Sequence, residues 1–138
     1  MRIKEAGKRG LKIAQWLEGQ EGIRRIYYPG LESDPNHARL KRDFTGCNGI
    51  LSILLEPSSR DAVVAFLDAL KLFPIGSSWG GYESLVQPQY LKKCRTAVPW
   101  GQSEDEKGTL LRLQIGFEEV EDLIADLGVG LAAFNAKR

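Results

Sequence analysis

The chain has 138 residues, 43% of them hydrophobic and 27% charged, the proportions of an ordinary folded domain with one core. Nineteen Lys and Arg against eighteen Asp and Glu leave a net charge of +1, too weak a field to hold a phosphate backbone, so nucleic acid is not an expected partner. No apolar run nears the ~18 residues of a membrane span, and the basic amino terminus leads into no apolar signal region, so a cytoplasmic location and no membrane partner are expected.

Ile3, Ala6, Gly10, Ile13, Ala14 and Leu17 recur at helical spacing, with Lys4, Glu5, Lys8 and Lys12 on the other side, which predicts an amphipathic helix. No Ser, Thr, Asp or Asn precedes it as a cap, so it reads as a helix continuing from upstream sequence. Ile23 to Tyr28 is rich in β-formers and stops at Pro29-Gly30, as a strand would. Asp34-Pro35 offers an N-cap followed by proline at the first helical position, predicting a short polar helix to about Arg42. Gly49 to Leu55 is almost wholly apolar and of strand length, as a central strand should be.

Ser58, with Asp61 three residues on, resembles a capping box in front of Val63, Phe66, Leu67 and Leu70, predicting a second amphipathic helix. Leu72 to Ile75 and Glu83 to Gln87 read as short extended pieces on either side of a Gly80-Gly81 turn. Pro88 to Lys107 is irregular. Leu110 to Ile115 is the last predicted strand, and Glu118-Glu-Val-Glu-Asp122 places acids on the first turn of a closing helix, where the helix dipole favours them. Val120, Leu123, Ile124, Leu127, Leu131 and Phe134 form that helix's apolar face. The order predicts a single α+β domain over 1–138, in two layers, with helices on one face of a small, mostly antiparallel sheet.

Familiar chemistries find little support. Cys47 and Cys94 are not in a Cys-x-x-Cys pair and His37 is the only histidine, so no metal site is expected. His37 reads as a turn or helix-start residue, not as the base of a nucleophilic triad. The stretch Ile75-Gly-Ser-Ser-Trp-Gly-Gly-Tyr-Glu-Ser-Leu85 stands out, together with Gly108-Thr-Leu-Leu-Arg-Leu-Gln-Ile-Gly116. In the second, Leu111, Leu113 and Ile115 face one way and Leu110, Arg112 and Gln114 the other. Arg112 is then either a residue on a solvated strand face or a planar fork for a ligand carboxylate. Trp79 is either core filling or, beside Ser77 and Ser78, part of a pocket.

Five blocks in register carry a resemblance across essentially the whole chain: Leu11 to Leu17, Lys41 to Gly46, Ser78 to Leu85, Gly108 to Arg112 and Ile115 to Leu127. They resemble the carboxy-terminal domain of cystathionine β-lyases, within the pyridoxal-phosphate enzymes of cysteine and methionine metabolism. Arg-Asp-Phe-Thr-Gly and the tryptophan in Ser-Trp-Gly-Gly look like β-lyases, whereas related γ-synthases and γ-lyases usually carry Ser-Leu-Gly-Gly. One departure is visible: many β-lyases have tyrosine where this chain has Ser77.

The resemblance implies that Arg112 binds the substrate α-carboxylate, that Ser78 helps hold it and that Trp79 lines the same pocket. It implies pyridoxal phosphate in the complete enzyme, an amino-acid thioether as substrate and a homo-oligomer. The reaction would convert cystathionine to homocysteine, pyruvate and ammonia. None of the lysines sits in the family's Ser-x-Thr-Lys-like context and no cofactor-phosphate loop is present, so the cofactor domain is expected to be missing, and the isolated chain is expected to be inactive. The alternatives are another carbon–sulfur lyase or γ-synthase of the same family, or a non-catalytic interaction module that pairs through apolar surface on the first helix and around Trp79.

Overall fold

The computed structural model describes residues 1–91 and 94–138, and so leaves Lys92 and Lys93, within the irregular segment Pro88 to Lys107, outside the described residues. Four α-helices and four strands follow in the order α1 (Arg2–Leu17), β1 (Ile23–Tyr27), α2 (His37–Asp43), β2 (Ile50–Leu55), α3 (Arg60–Ala69), β3 (Leu85–Gln89), β4 (Thr109–Gln114) and α4 (Val120–Asn135). The sheet runs β1-β2-β4-β3, antiparallel throughout. The two most apolar strands, β2 and β4, therefore occupy its centre, where both edges are paired and both faces can be covered.

One face of this sheet is the core. Leu51, Ile53 and Leu55 of β2, Leu111 and Leu113 of β4 and Val86 of β3 meet Ile13 and Leu17 of α1, Phe66 of α3 and Leu123, Leu127 and Phe134 of α4. This is the expected two-layer α+β sandwich, and α1, α3 and α4 supply the helical layer. Helix α2 contributes no buried residue. Asp126 of α4, nearly buried, accepts from the main-chain N–H of Lys71 (2.9 and 3.1 Å) and Leu72 (2.9 Å). That carboxylate receives the chain as it leaves α3 and ties the helix pair together.

The register places Tyr27 of β1 opposite Ser52, Ser52 opposite Arg112 and Arg112 opposite Gln87. Residues opposite one another share a face, so these four form a polar row across the sheet on the side away from the helices. The next row puts Ile50 and Leu85 on either side of Gln114.

Four local expectations need correction. Leu72 to Ile75 is not a strand: Ile75 makes a single parallel bridge to Val86, and Pro74, which has no N–H, contributes only its carbonyl to Val86 (3.0 Å). The strand expected over Glu83 to Gln87 begins at Leu85 and runs through Pro88 to Gln89, a proline tolerated because β3 is an edge. Helix α2 starts at His37, not Pro35, because the Asp34 carboxylate is spent on the N–H of Asn36 (2.8 Å) and Tyr28 (3.2 Å), closing the preceding turn. Ser59, not Ser58, caps α3, accepting from Ala62 N–H at 3.2 Å. His37 does open its helix, with Nδ1 2.9 Å from the Pro29 carbonyl.

Candidate functional site

The loop 76–84 lies against β4 and the turn that follows it. Arg112 Nη2 donates to the carbonyls of Ser77 (2.8 Å) and Ser78 (3.2 Å). Its side chain is partly exposed and, among the described residues, its Nε is enclosed without a partner and no carboxylate pairs with it. A guanidinium carries five donors and a fixed positive charge. Two bonds to neutral carbonyls leave that charge uncompensated and most of its donors unspent.

Two residues on, Gln114 is buried at 3% exposure and uses both ends of its amide: Oε1 accepts from Gly80 N–H at 3.0 Å and Nε2 donates to the Ile115 carbonyl at 2.9 Å. Gly80 has φ +76, a left-handed conformation that an L side chain rarely adopts. Beyond it, Phe117 N–H donates to Tyr82 O at 2.8 Å, and Glu118 holds Ser84 at both its N–H (2.9 Å) and its hydroxyl (2.8 Å). The Ser84 hydroxyl in turn accepts from Gly116 N–H at 2.9 Å. A Cβ at Gly116 would stand 2.3 Å from the Tyr82 carbonyl oxygen, so only glycine allows the two backbones this close.

Glu118 therefore differs from its expected role in the first turn of the closing helix. Helix α4 begins at Val120 with Glu121 and Asp122 in its first turn, and Glu118 turns back to the loop. Sequence reasoning assigned no role to Glu118 or Gln114 in the site. Gln114 was visible as a residue on the Arg112 side of the alternation, but its partner is 34 residues away and no local pattern announces it.

Trp79 is 65% exposed, which excludes the core-filling reading. It borders a cleft of about 470 Å³ lined also by Ile3, Ala6, Ile50, Gly80, Gln114 and Phe117. Arg112 and Ser78 are not among the residues lining that cleft, and Gln114 with Gly80 forms the connection between the two places. Ser78 meets Arg112 through its main-chain carbonyl.

The row continues to Tyr27, whose hydroxyl is buried without a partner among the described residues and whose ring lies 5.9 Å from that of Trp100. Burial is the main force that pushes the Tyr27 phenol above its ordinary range. Arg25 stands 4.6 Å over the same ring, and its charge opposes the shift. Away from the site, burial also raises the thiol of Cys47 and the phenol of Tyr28, whose hydroxyl donates to Asn48 O (2.8 Å).

A small antiparallel sheet with helices on one face and, among the described residues, an arginine without a carboxylate partner on the other defines an α+β domain. The family described as Cys/Met metabolism PLP-dependent enzyme matches residues 1–132. Cystathionine beta-lyase MetC of Escherichia coli is 40% identical over 136 residues, covering 96% of this chain and 33% of that protein. Cystathionine gamma-lyase of Macaca fascicularis is 38% identical over 136 residues, with 96% and 33% covered. Among solved structures, the cystathionine gamma synthase of Xanthomonas oryzae pv. oryzae in complex with aminoacrylate and cysteine matches with a TM-score of 0.81 and 33% identity, over 99% of this chain and 35% of that one. The chain belongs to the Cys/Met metabolism PLP-dependent enzyme family, and spans about a third of the length of these relatives.

The family's cofactor needs a lysine whose amine is activated by desolvation or a neighbouring cation, and donors for a phosphate. Lys4, Lys8, Lys12, Lys41, Lys71, Lys107 and Lys137 are all exposed, and the N–H of Gly80 in the glycine turn is already spent on Gln114. Among the described residues, then, this chain does not fit pyridoxal phosphate.

Proposed function

We propose that this chain is the carboxy-terminal domain of a pyridoxal-phosphate-dependent carbon–sulfur lyase and supplies the grip on the substrate α-carboxylate. The complete enzyme would act on cystathionine as a β-lyase, releasing homocysteine, pyruvate and ammonia in the cytoplasm as a homo-oligomer. Arg112 carries the reading: a partly exposed guanidinium with no carboxylate partner among the described residues, already oriented by the carbonyls of Ser77 and Ser78. Its charge would hold an amino-acid carboxylate, with charge-assisted bonds that fix the acid's orientation as well as its position. Ser78 would shape one side of that grip, and the ring of Trp79 would border the bound thioether. The cofactor and its lysine would come from a larger domain outside this chain.

The β-lyase assignment rests on the tryptophan of Ser-Trp-Gly-Gly and on relatives such as the Escherichia coli enzyme. A γ-lyase and a γ-synthase match at least as much of this chain as that enzyme does, at somewhat lower identity, so another carbon–sulfur chemistry of the family is the second reading. The exposed Ile3 (72%), Trp79 (65%) and Tyr82 (74%) support a third, a non-catalytic module that pairs through this surface.

In the complete enzyme, Arg112→Lys should lower kcat/KM for cystathionine by about 30-fold, near 2 kcal/mol, through loss of the planar fork. Unchanged kcat/KM would return Arg112 to the solvated strand face. The purified chain with added pyridoxal phosphate should release no pyruvate from cystathionine, and turnover would overturn the assignment of the chemistry to another domain.

A further inference from the structure

Gln114 is buried, has both ends of its amide engaged, and sits on the same pleat face as Arg112. The two side chains hold the loop at successive points, Arg112 at the carbonyls of Ser77 and Ser78 and Gln114 at the N–H of Gly80. Rotating the amide by half a turn would set its NH2 against the Gly80 N–H and its oxygen against the Ile115 carbonyl. Both contacts would repel, so the network fixes one orientation. Between the Arg112 pin at Ser78 and the Gln114 pin at Gly80 lies only Trp79.

A buried glutamine could simply satisfy itself against nearby backbone. Gln114 instead spends its acceptor on a residue 34 positions away, at the one point where the loop takes up a positive φ. Without that bond the Gly80 N–H would have no fixed acceptor, and between the anchors at Gly76, whose N–H donates to Val86 O (3.1 Å), and Tyr82, only Arg112 would hold the loop among the described residues.

We infer that Gln114 is a positioning residue for the carboxylate grip: by fixing Gly80 it holds the carbonyls of Ser77 and Ser78 against Arg112. The inference rests on the carboxylate reading given above, and the test separates the two. In the ¹⁵N-labelled chain, amide exchange at Gly80, the Arg112 Nε–H resonance and their response to L-cystathionine are measured for the native protein, Gln114→Leu and Gln114→Glu. Gln114→Leu should speed Gly80 exchange by about tenfold or more, the loss of one hydrogen bond. It should also move or broaden the Arg112 signal and weaken the response to L-cystathionine, while core amides such as Leu113 stay protected. Gln114→Glu keeps the acceptor and, once acidified, offers its carboxyl O–H to the Ile115 carbonyl, so it should restore Gly80 protection at low pH.

Native-like Gly80 exchange and an unmoved Arg112 signal in Gln114→Leu would overturn the inference. So would loss of Gly80 protection in Gln114→Leu and in acidified Gln114→Glu alike. A loop that responds as expected in a protein whose Arg112 signal ignores L-cystathionine would support the positioning role and contradict the carboxylate reading.

Discussion

The two faces of the sheet are built from the same strands by opposite rules. On the helical face, Leu51, Ile53, Leu111 and Leu113 pack against α1, α3 and α4 with essentially no exposure. On the other, Tyr27, Ser52, Arg112 and Gln87 form a polar row, and it is the loop 76–84, not a helix, that lies against Arg112 and its neighbour Gln114. The helical face stabilises through removal of apolar area from water, which is additive and non-directional. The other face depends on directed bonds between β4 and a loop, which hold particular atoms in place while contributing little to stability. The comparison suggests that substitutions on the two faces should separate folding from ligand grip.

The largest expected effect is on the helical face. Leu113→Ala leaves a cavity at a fully buried position and should lower unfolding free energy by about 2–5 kcal/mol in denaturant titration. A loss under about 1 kcal/mol would mean that the core relaxes around the site. Next is the seam between the faces, Gly116→Ala. Its new methyl would meet the backbone of Tyr82 and Glu83, at 2.3 Å and 2.6 Å, so a loss of ~2 kcal/mol is expected with the loop displaced from Arg112. Stability equal to the native protein would show that the loop yields freely.

Smaller still is Arg112→Lys in the isolated chain, which trades bonds to two carbonyls at a partly exposed site and should change unfolding free energy by less than about 1 kcal/mol. A larger loss would make Arg112 a structural residue and blur the division between the faces. The smallest effect near neutral pH belongs to Tyr27→Phe, since the lost hydroxyl has no partner among the described residues. Its signature is in alkali. A phenol whose folded value is raised favours the neutral form, so its contribution is complete below its ordinary value of 10.0 and is lost as pH rises through the folded one. Tyr27→Phe should therefore flatten part of the fall in stability above pH 10, and an unchanged alkaline slope would contradict the burial of that hydroxyl.

How much of this was legible follows from the range of each interaction. The alternation of Leu111 and Leu113 with Arg112 and Gln114 is local, and it assigned both faces of β4 correctly. The apolar run of β2 announced a central strand for the same reason. Motif spacing could not say whether Trp79 is core or surface, because its exposure depends on what lies across the loop. Glu118 was misplaced because acids before a helix are the usual dipole pattern, whereas its partner Ser84 is 34 residues upstream. The starts of α2 and α3 fall one or two residues later than expected because Asp34 and Ser58 are cap types as good as Asn36 and Ser59, the residues that precede the two helices. Only the geometry of the turn decides which one is used.

On the loop-covered face, Arg112 is the proposed centre of a carboxylate grip. Its most direct test is titration of the ¹⁵N-arginine-labelled chain with L-cystathionine, following the Arg112 Nε–H resonance, beside cysteamine, an amine and thiol without a carboxylate. A saturable shift with L-cystathionine and none with cysteamine is expected. No shift with either, or equal shifts with both, would contradict the account.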